Sequence, residues 1–276
     1  MSETSFEKIL NRLADALERL SPAPKSAPVD APAYQWGNGG PTPIRQVDWM
    51  EPGRLVGVDD ALALLDANTR RFVSGKPAND VLLWGERGTG KSSLVKAMLR
   101  RYHDQGLRLV GVRHSEYESI SQIADWVETQ DGRKFILFLD DFSFSADDAA
   151  YRELKTILEG GLRARPVNLL VYATSNRRHL VPEYLVDNEP VIREGEIHPR
   201  EAVQERISLS DRFGMRIGLY APDQDTYLET VDSYLRLYGF QGAPGTLHQE
   251  AIRFALQAGQ RSGRTAHQFV RSLDIP

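Results

Sequence analysis

Phe6, Ile9, Leu10, Leu13, Leu17 and Leu20 recur at three- and four-residue spacing, the interval that puts side chains on one face of an α-helix. Residues 1–20 therefore read as an amphipathic helix. Pro22, Pro24, Pro28, Pro32, Pro41 and Pro43 follow with Ala and Gly between them, which predicts a linker over residues 21–44 and a globular part starting near Arg45. Beyond it two kinds of apolar pattern alternate. Helix-spaced segments fall at Asp59–Phe72, Lys91–His103, Ser121–Glu128 and Asp148–Glu159; short continuous apolar runs fall at Val81–Trp84, Leu107–Val112, Phe135–Leu139 and Val167–Ala173. Continuous apolar strands are buried on both faces, so the pattern predicts an α/β fold with a parallel sheet covered by helices. After about Ala221 the strands cease. Leu228–Leu237, Leu247–Leu256 and Ala266–Leu273 read as three helices, giving an α/β domain over 45–221 and a small all-α domain over 222–276.

Composition narrows the chemistry. The 276 residues carry a net charge of -4 and are 41% hydrophobic and 26% charged, as in ordinary globular chains. The longest apolar runs fall far short of the ~20 residues that span a bilayer. Acidic and basic residues interleave before Leu20, which suits neither a secretory nor a transit peptide, so a cytoplasmic protein with no membrane partner is expected. With no Cys there is no disulfide, thiolate metal site or cysteine nucleophile, and the six His show no metal-binding spacing.

Gly85-Glu86-Arg87-Gly88-Thr89-Gly90-Lys91-Ser92 fits G-x-x-x-x-G-K-[ST] between an apolar strand and a helix, the context that motif requires. Glycines let the backbone curl so that N–H groups face phosphate oxygens, and the helix after the loop adds its positive end. Lys91 is then placed for the β- and γ-phosphates and Ser92 for Mg²⁺. The competing reading is a Gly-rich tight turn. The run Phe135–Leu139 ends in Asp140 and Asp141, at the end of a parallel strand where ligands bind. Asp140 suits Mg²⁺ and Asp141 the attacking water; turn chemistry and helix capping are the alternative. Asn176, after the run Val167–Ala173, is an amide fit to hydrogen-bond water and γ-phosphate, or simply a turn residue. Arg212, in Leu209-Ser210-Asp211-Arg212-Phe213-Gly214, is by default a solvated arginine.

Together these residues resemble the AAA+ ATPases, from Leu55-Val56-Gly57-Val58 through Arg264. Gly85–Ser92 resembles Walker A, Asp140-Asp141 Walker B, Asn176 the sensor 1 residue, Arg212 the arginine finger and Arg264 sensor 2. Four runs are similar more closely to the bacterial DUF815 group: 82–93, which brings in Ser93, 172–180, 208–214 and 261–264. The resemblance implies a five-stranded parallel P-loop sheet in order 5-1-4-3-2 with a helical lid, and ATP with Mg²⁺ between them. It also implies a homo-oligomeric ring or arc, because an arginine finger serves a neighbouring subunit. Asp141 stands where many members carry Glu, which predicts slow turnover. Tyr117, between Glu116 and Glu118, is the sole aromatic where threading rings carry a pore loop; it reads as a surface residue or a weak pore-liner.

The expected function is an oligomeric ATPase that hydrolyses Mg-ATP at subunit interfaces to remodel a protein or protein–nucleic acid assembly, with an unidentified protein client. A nucleotide-gated scaffold with little hydrolysis is the alternative. A helicase-loader or initiator acting on DNA is less favoured; Arg70-Arg71, Arg163, Arg165 and Arg177-Arg178-His179 are its support. The N-terminal helix reads as a partner-binding arm or a structural element.

Overall fold

The apolar runs lie side by side in one sheet. The computed structural model describes residues 30–37, 39–142, 149–159, 164–176, 192–193, 196–197 and 209–274. Its strands are β1 (Ala33–Gly37), β2 (Gly40–Pro43), β3 (Val81–Gly85), β4 (Leu107–Val112), β5 (Lys134–Leu139), β6 (Leu169–Ser175), the two-residue β7 (Ile192–Arg193) and β8 (Glu196–Ile197), and β9 (Met215–Leu219). The main sheet has seven strands in the order β2-β1-β4-β5-β6-β3-β9. All neighbours are parallel except β1 and β2. Its run β9-β3-β6-β5-β4 is the 5-1-4-3-2 order implied by the resemblance. Antiparallel β7 and β8 pair separately.

Side chains alternate across each strand and so feed two cores. Val81 and Leu83 point to the side covered by α1 (Asp59–Val73) and α2 (Lys91–Tyr102), packing with Leu65, Leu94 and Met98. Leu82 points to the other, with Leu137, Leu139 and Val171, under α3 (Ile120–Glu128) and α4 (Ala149–Glu159). Two-sided burial is why these strands are apolar at nearly every position.

The linker expected over 21–44 does not hold for its second half. Ala33–Gly37 pairs in parallel with β4, and Gly40–Pro43 closes the sheet edge, antiparallel to β1. Prolines misled the reading because Pro41 and Pro43 sit on an edge strand, where a missing N–H breaks no ladder on the outer side. Tyr34 and Trp36 are buried and pack around Trp126 at 5.3 and 6.0 Å. Burying each such ring stabilises the fold by roughly 1.5–3 kcal/mol, enough to draw this segment into the sheet. Asp30, just before β1, binds Arg108 and Arg133. The proposed helix over 1–20, and residues 21–29 of the linker, lie outside the described residues.

Two smaller readings also change. Val167 is 89% exposed in a turn, and the strand starts at Leu169. Tyr117 is neither surface nor pore: it is 1% exposed and packs on Phe142 at 5.3 Å.

After β9 come α5 (Gln224–Leu237), α6 (His248–Gln257) and α7 (Gly263–Arg271), around a core of their own that includes Tyr227, Val231, Ala251 and Phe269. Asp223 caps α5 and Ser262 caps α7, each side chain accepting an N–H from three residues on. No described helix is long and apolar enough to cross a membrane.

Candidate functional site: a phosphate loop facing two carboxylates

The loop between β3 and α2 depends on glycine where the chain is tightest. Gly85 has φ 143°, and a Cβ there would lie 1.9 Å from the Leu219 carbonyl oxygen on β9. Gly90, at φ 96°, opens α2 without a capping side chain, and the first turn holds no acid. The helix therefore starts with unpaired N–H groups and its positive end directed at the loop. Thr89 Oγ1 tightens the curl by donating to the Glu86 carbonyl at 2.9 Å. Glu86 and Arg87 are exposed, and Ser92 and Ser93 are half-buried in the first turn of α2.

Lys91 folds back under the loop and is 7% exposed. Its Nζ donates to the carbonyls of Gly85 at 2.8 Å and Glu86 at 2.7 Å, and to Asn176 Oδ1 at 3.1 Å. Burial pushes its pKa below the ordinary lysine value, while Asp141 and Asp140 pull the other way. Its charge thus sits in a partly dehydrated position, where an added phosphate would hold it most strongly.

Asp140 leaves the end of β5 and accepts from Ser92 Oγ at 2.6 Å and Thr174 Oγ1 at 2.7 Å. Asp141 follows in the left-handed region, φ 51°, the only described non-glycine with positive φ. Such a backbone costs about 1 kcal/mol or more and persists only when neighbours hold it. The Asp141 N–H donates to Thr174 Oγ1 at 2.9 Å, and its carboxylate accepts from Asn176 Nδ2. Arg87 Nη2 lies 3.9 Å from Asp141 Oδ2; both side chains are well over half exposed, so that pair contributes little.

The structure thus brings Lys91, Ser92, Asp140, Asp141 and Asn176 into one hydrogen-bonded set, with Arg87 at its rim. Thr174 belongs to the set and sequence reasoning missed it. The available signal was its place two residues before Asn176 on β6, the strand interval that returns a side chain to the same face.

Arg264 reaches the loop from the C-terminal helices. A Cβ on Gly88 would meet Ser262 Oγ at 2.8 Å and Arg264 Cβ at 3.3 Å, and Gly263 N–H donates to the Gly88 carbonyl at 3.0 Å. An open cleft of about 380 Å³ lies beside this contact, lined by Glu86, Pro222, Leu256, Gln260 and Arg261 among others.

Arg212 lies elsewhere. In the β3–β9 register Val81 faces Met215 and Gly85 faces Leu219, so Arg212, three residues before Met215, is at the end of the sheet where β3 begins. The phosphate loop leaves the other end, about 13 Å away at ~3.3 Å per residue. Buried Leu209 and Phe213 anchor the arginine on both sides.

Among the basic residues, Arg165 ion-pairs with buried Asp80, and Arg71 Nε donates to the Pro77 carbonyl at 2.9 Å. Arg163, Arg177, Arg178 and His179 fall outside the described residues, as do Asp147 and Asp148.

The donor set fits Mg²⁺. The Ser92 hydroxyl and Asp140 carboxylate are adjacent hard oxygens, and Mg²⁺ takes few protein ligands, filling its shell with water and phosphate. Among the described residues no group of three or more His, Asp or Glu is placed to cage a metal.

Comparison with known proteins bears on the family and the fold. The Replication factor C large subunit of Pyrococcus abyssi is 24% identical over 183 residues, 62% of this chain and only 37% of that protein. Among solved structures, a single-residue variant of RuvB from Thermotoga maritima superposes with a TM-score of 0.50 at 12% identity, covering 82% of this chain and 72% of that one. ORC1 from Aeropyrum pernix, solved in complex with DNA, gives 0.54 at 16% identity over 79% of this chain and 59% of that one. At these identities the structures show a shared fold alone, the AAA+ P-loop fold. The family described as "Protein of unknown function (DUF815)" matches residues 29–274, nearly all of the described chain, and the protein belongs to that family.

Proposed function

We propose that this chain is an ATPase that binds Mg-ATP at Gly85–Ser93 and hydrolyses it in a homo-oligomeric ring or arc to remodel a protein client. The observation that carries the reading is the set joining Lys91, Asn176 and Asp141 beside Ser92 and Asp140. Backbone N–H groups and Lys91 would hold the phosphates, with Asp140 and Ser92 as the Mg²⁺ ligands. Bound there, Mg²⁺ would neutralise charge developing on the phosphate oxygens. Asp141 would accept a proton from the attacking water and Asn176 would orient that water. Arg264 would report the phosphate to the helices of residues 222–276, acting as a lid.

Arg212 supports a shared site. It lies toward the end of the sheet where β3 begins, away from its own phosphate loop, and would serve the loop of a second copy. The pairing of Arg165 with buried Asp80 takes up one of the basic residues that supported a DNA client, so a protein client is preferred. The experiment is Mg-ATP turnover by the purified chain, with retained nucleotide binding but lost turnover in Asp141→Asn. Nucleotide binding with no native turnover would instead support the nucleotide-gated scaffold. That second reading is favoured by the hold of Asn176 on a carboxylate one methylene shorter than Glu.

A further inference from the structure

Three consecutive residues at the end of β5 are tied to one residue of β6. Thr174 Oγ1 donates to Asp140 Oδ1 at 2.7 Å and accepts the Asp141 N–H at 2.9 Å, while the Thr174 carbonyl accepts the Phe142 N–H at 2.6 Å. Thr174 is 1% exposed, so water has little access to replace these bonds.

The single hydroxyl proton sets the direction of both side-chain bonds. It points at Asp140, which leaves an oxygen lone pair for Asp141 N–H. The first bond fixes which Asp140 oxygen faces Ser92, since Ser92 Oγ donates to that same Oδ1 at 2.6 Å. The second holds the backbone of Asp141 at φ 51°, one of the several conformations open to an Asp and a costly one for an L-residue. Two residues on, Asn176 holds the carboxylate of the same Asp141. The end of β6 and the residue after it thus grip Asp141 twice, at its backbone through Thr174 and at its side chain through Asn176.

We propose that Thr174 is a positioning residue that separates the tasks of the two carboxylates, aiming Asp140 at Ser92 and turning Asp141 toward Asn176. This rests on the hydrolytic reading above. The left-handed turn gives the short Asp141 a fixed direction that its side chain alone does not supply, because a free Asp at a strand end samples several backbone states.

The test compares Thr174→Val, which keeps the branched shape and removes the hydroxyl, with Thr174→Ser, which keeps the hydroxyl. In Thr174→Val, kcat for ATP falls about 10- to 100-fold while the affinity for a non-hydrolysable ATP analogue measured without Mg²⁺ stays within about threefold. In Thr174→Ser, kcat stays within about threefold of the native value. The Asp141 amide exchanges with solvent faster in the Val variant and not in the Ser variant. Native kcat in Thr174→Val, or equal loss in both variants, overturns the proposal, the second because it assigns the effect to altered packing and not to the hydroxyl. A native chain that binds ATP without turnover defeats the hydrolytic reading alone. Analogue binding then decides: the gain in affinity on adding Mg²⁺ shrinks in Thr174→Val if Thr174 aims Asp140, and an unchanged gain overturns it.

Discussion

Gly263 donates its backbone N–H to the carbonyl of Gly88 at 3.0 Å, so α7 begins hydrogen-bonded to the phosphate loop. Gly88 has φ 79°, and any Cβ there would press on Ser262 and Arg264. Gly88→Ala therefore displaces the start of α7 and weakens ATP binding by about tenfold or more. Gly239 has a similar φ of 77° but open space around it, so Gly239→Ala serves as the control for backbone strain alone. Calorimetric titration of both variants checks this: equal affinities would mean that the contact has no part in binding.

The lowered pKa of Lys91 predicts a pH dependence. Burial is the main cause, so in the nucleotide-free chain Lys91 loses its proton at a lower pH than the ordinary 10.5. Phosphate binds the protonated form, so ATP affinity falls as pH rises through that lowered pKa. Lys91→Arg keeps its charge throughout and flattens the alkaline limb, though it binds more weakly overall because a guanidinium does not fit the lysine's bonds. Affinity measured from neutral to alkaline pH tests this; identical limbs in both proteins would contradict it.

Asp140 and Asp141 carry different bonds and fail differently. Asp141→Asn lowers turnover by roughly 10²–10⁴-fold with binding retained, the loss typical of a missing general base. Asp140→Asn weakens the gain in ATP affinity on adding Mg²⁺, because its partner Ser92 keeps only a neutral neighbour. Titrating Mg²⁺ against each variant separates the two, and interchangeable behaviour would refute the division.

Asp30 ties the entry to β1 onto Arg108 and Arg133. Partial burial works to raise its pKa, but the hydrogen bonds from Arg133 and Arg108 outweigh it and hold the carboxyl below its usual value. A carboxyl depressed in the folded state adds stability above its unfolded pKa and loses it as pH falls through the folded one. Asp30→Ala therefore costs about 1 kcal/mol near neutrality, a figure kept small because Asp30 is over half exposed, and the difference fades in acid. Urea unfolding at neutral and acid pH reads it directly.

How much was legible beforehand varied by element. The phosphate loop stands in the sequence because its chemistry constrains adjacent residues: Gly85, Gly88 and Gly90 all have positive φ. The apolar strands were legible because both their faces are buried. β1 and β2 were not, since Tyr34 and Trp36 are flanked by prolines tolerated only at an edge, and edge position is a property of the whole sheet. β9 was hidden by Arg216 and Gly218; Gly218 is required because a Cβ there would meet the Trp84 ring at 2.6 Å. Thr174 escaped notice because its role comes from lying beside Asp140 across 34 residues of chain. Tyr117 was misplaced because Glu116 and Glu118 made its segment look exposed, whereas one side chain turns inward onto Phe142.

Hydrolysis at a site completed by a second copy, as proposed, makes ATP turnover per subunit depend on protein concentration. Measured across that range, specific activity rises as oligomers form, and Arg212→Ala lowers the activity of the oligomer by about 10³-fold or more while leaving nucleotide binding near native. Specific activity that stays flat across the monomer–oligomer transition, and is indifferent to Arg212→Ala, would contradict it.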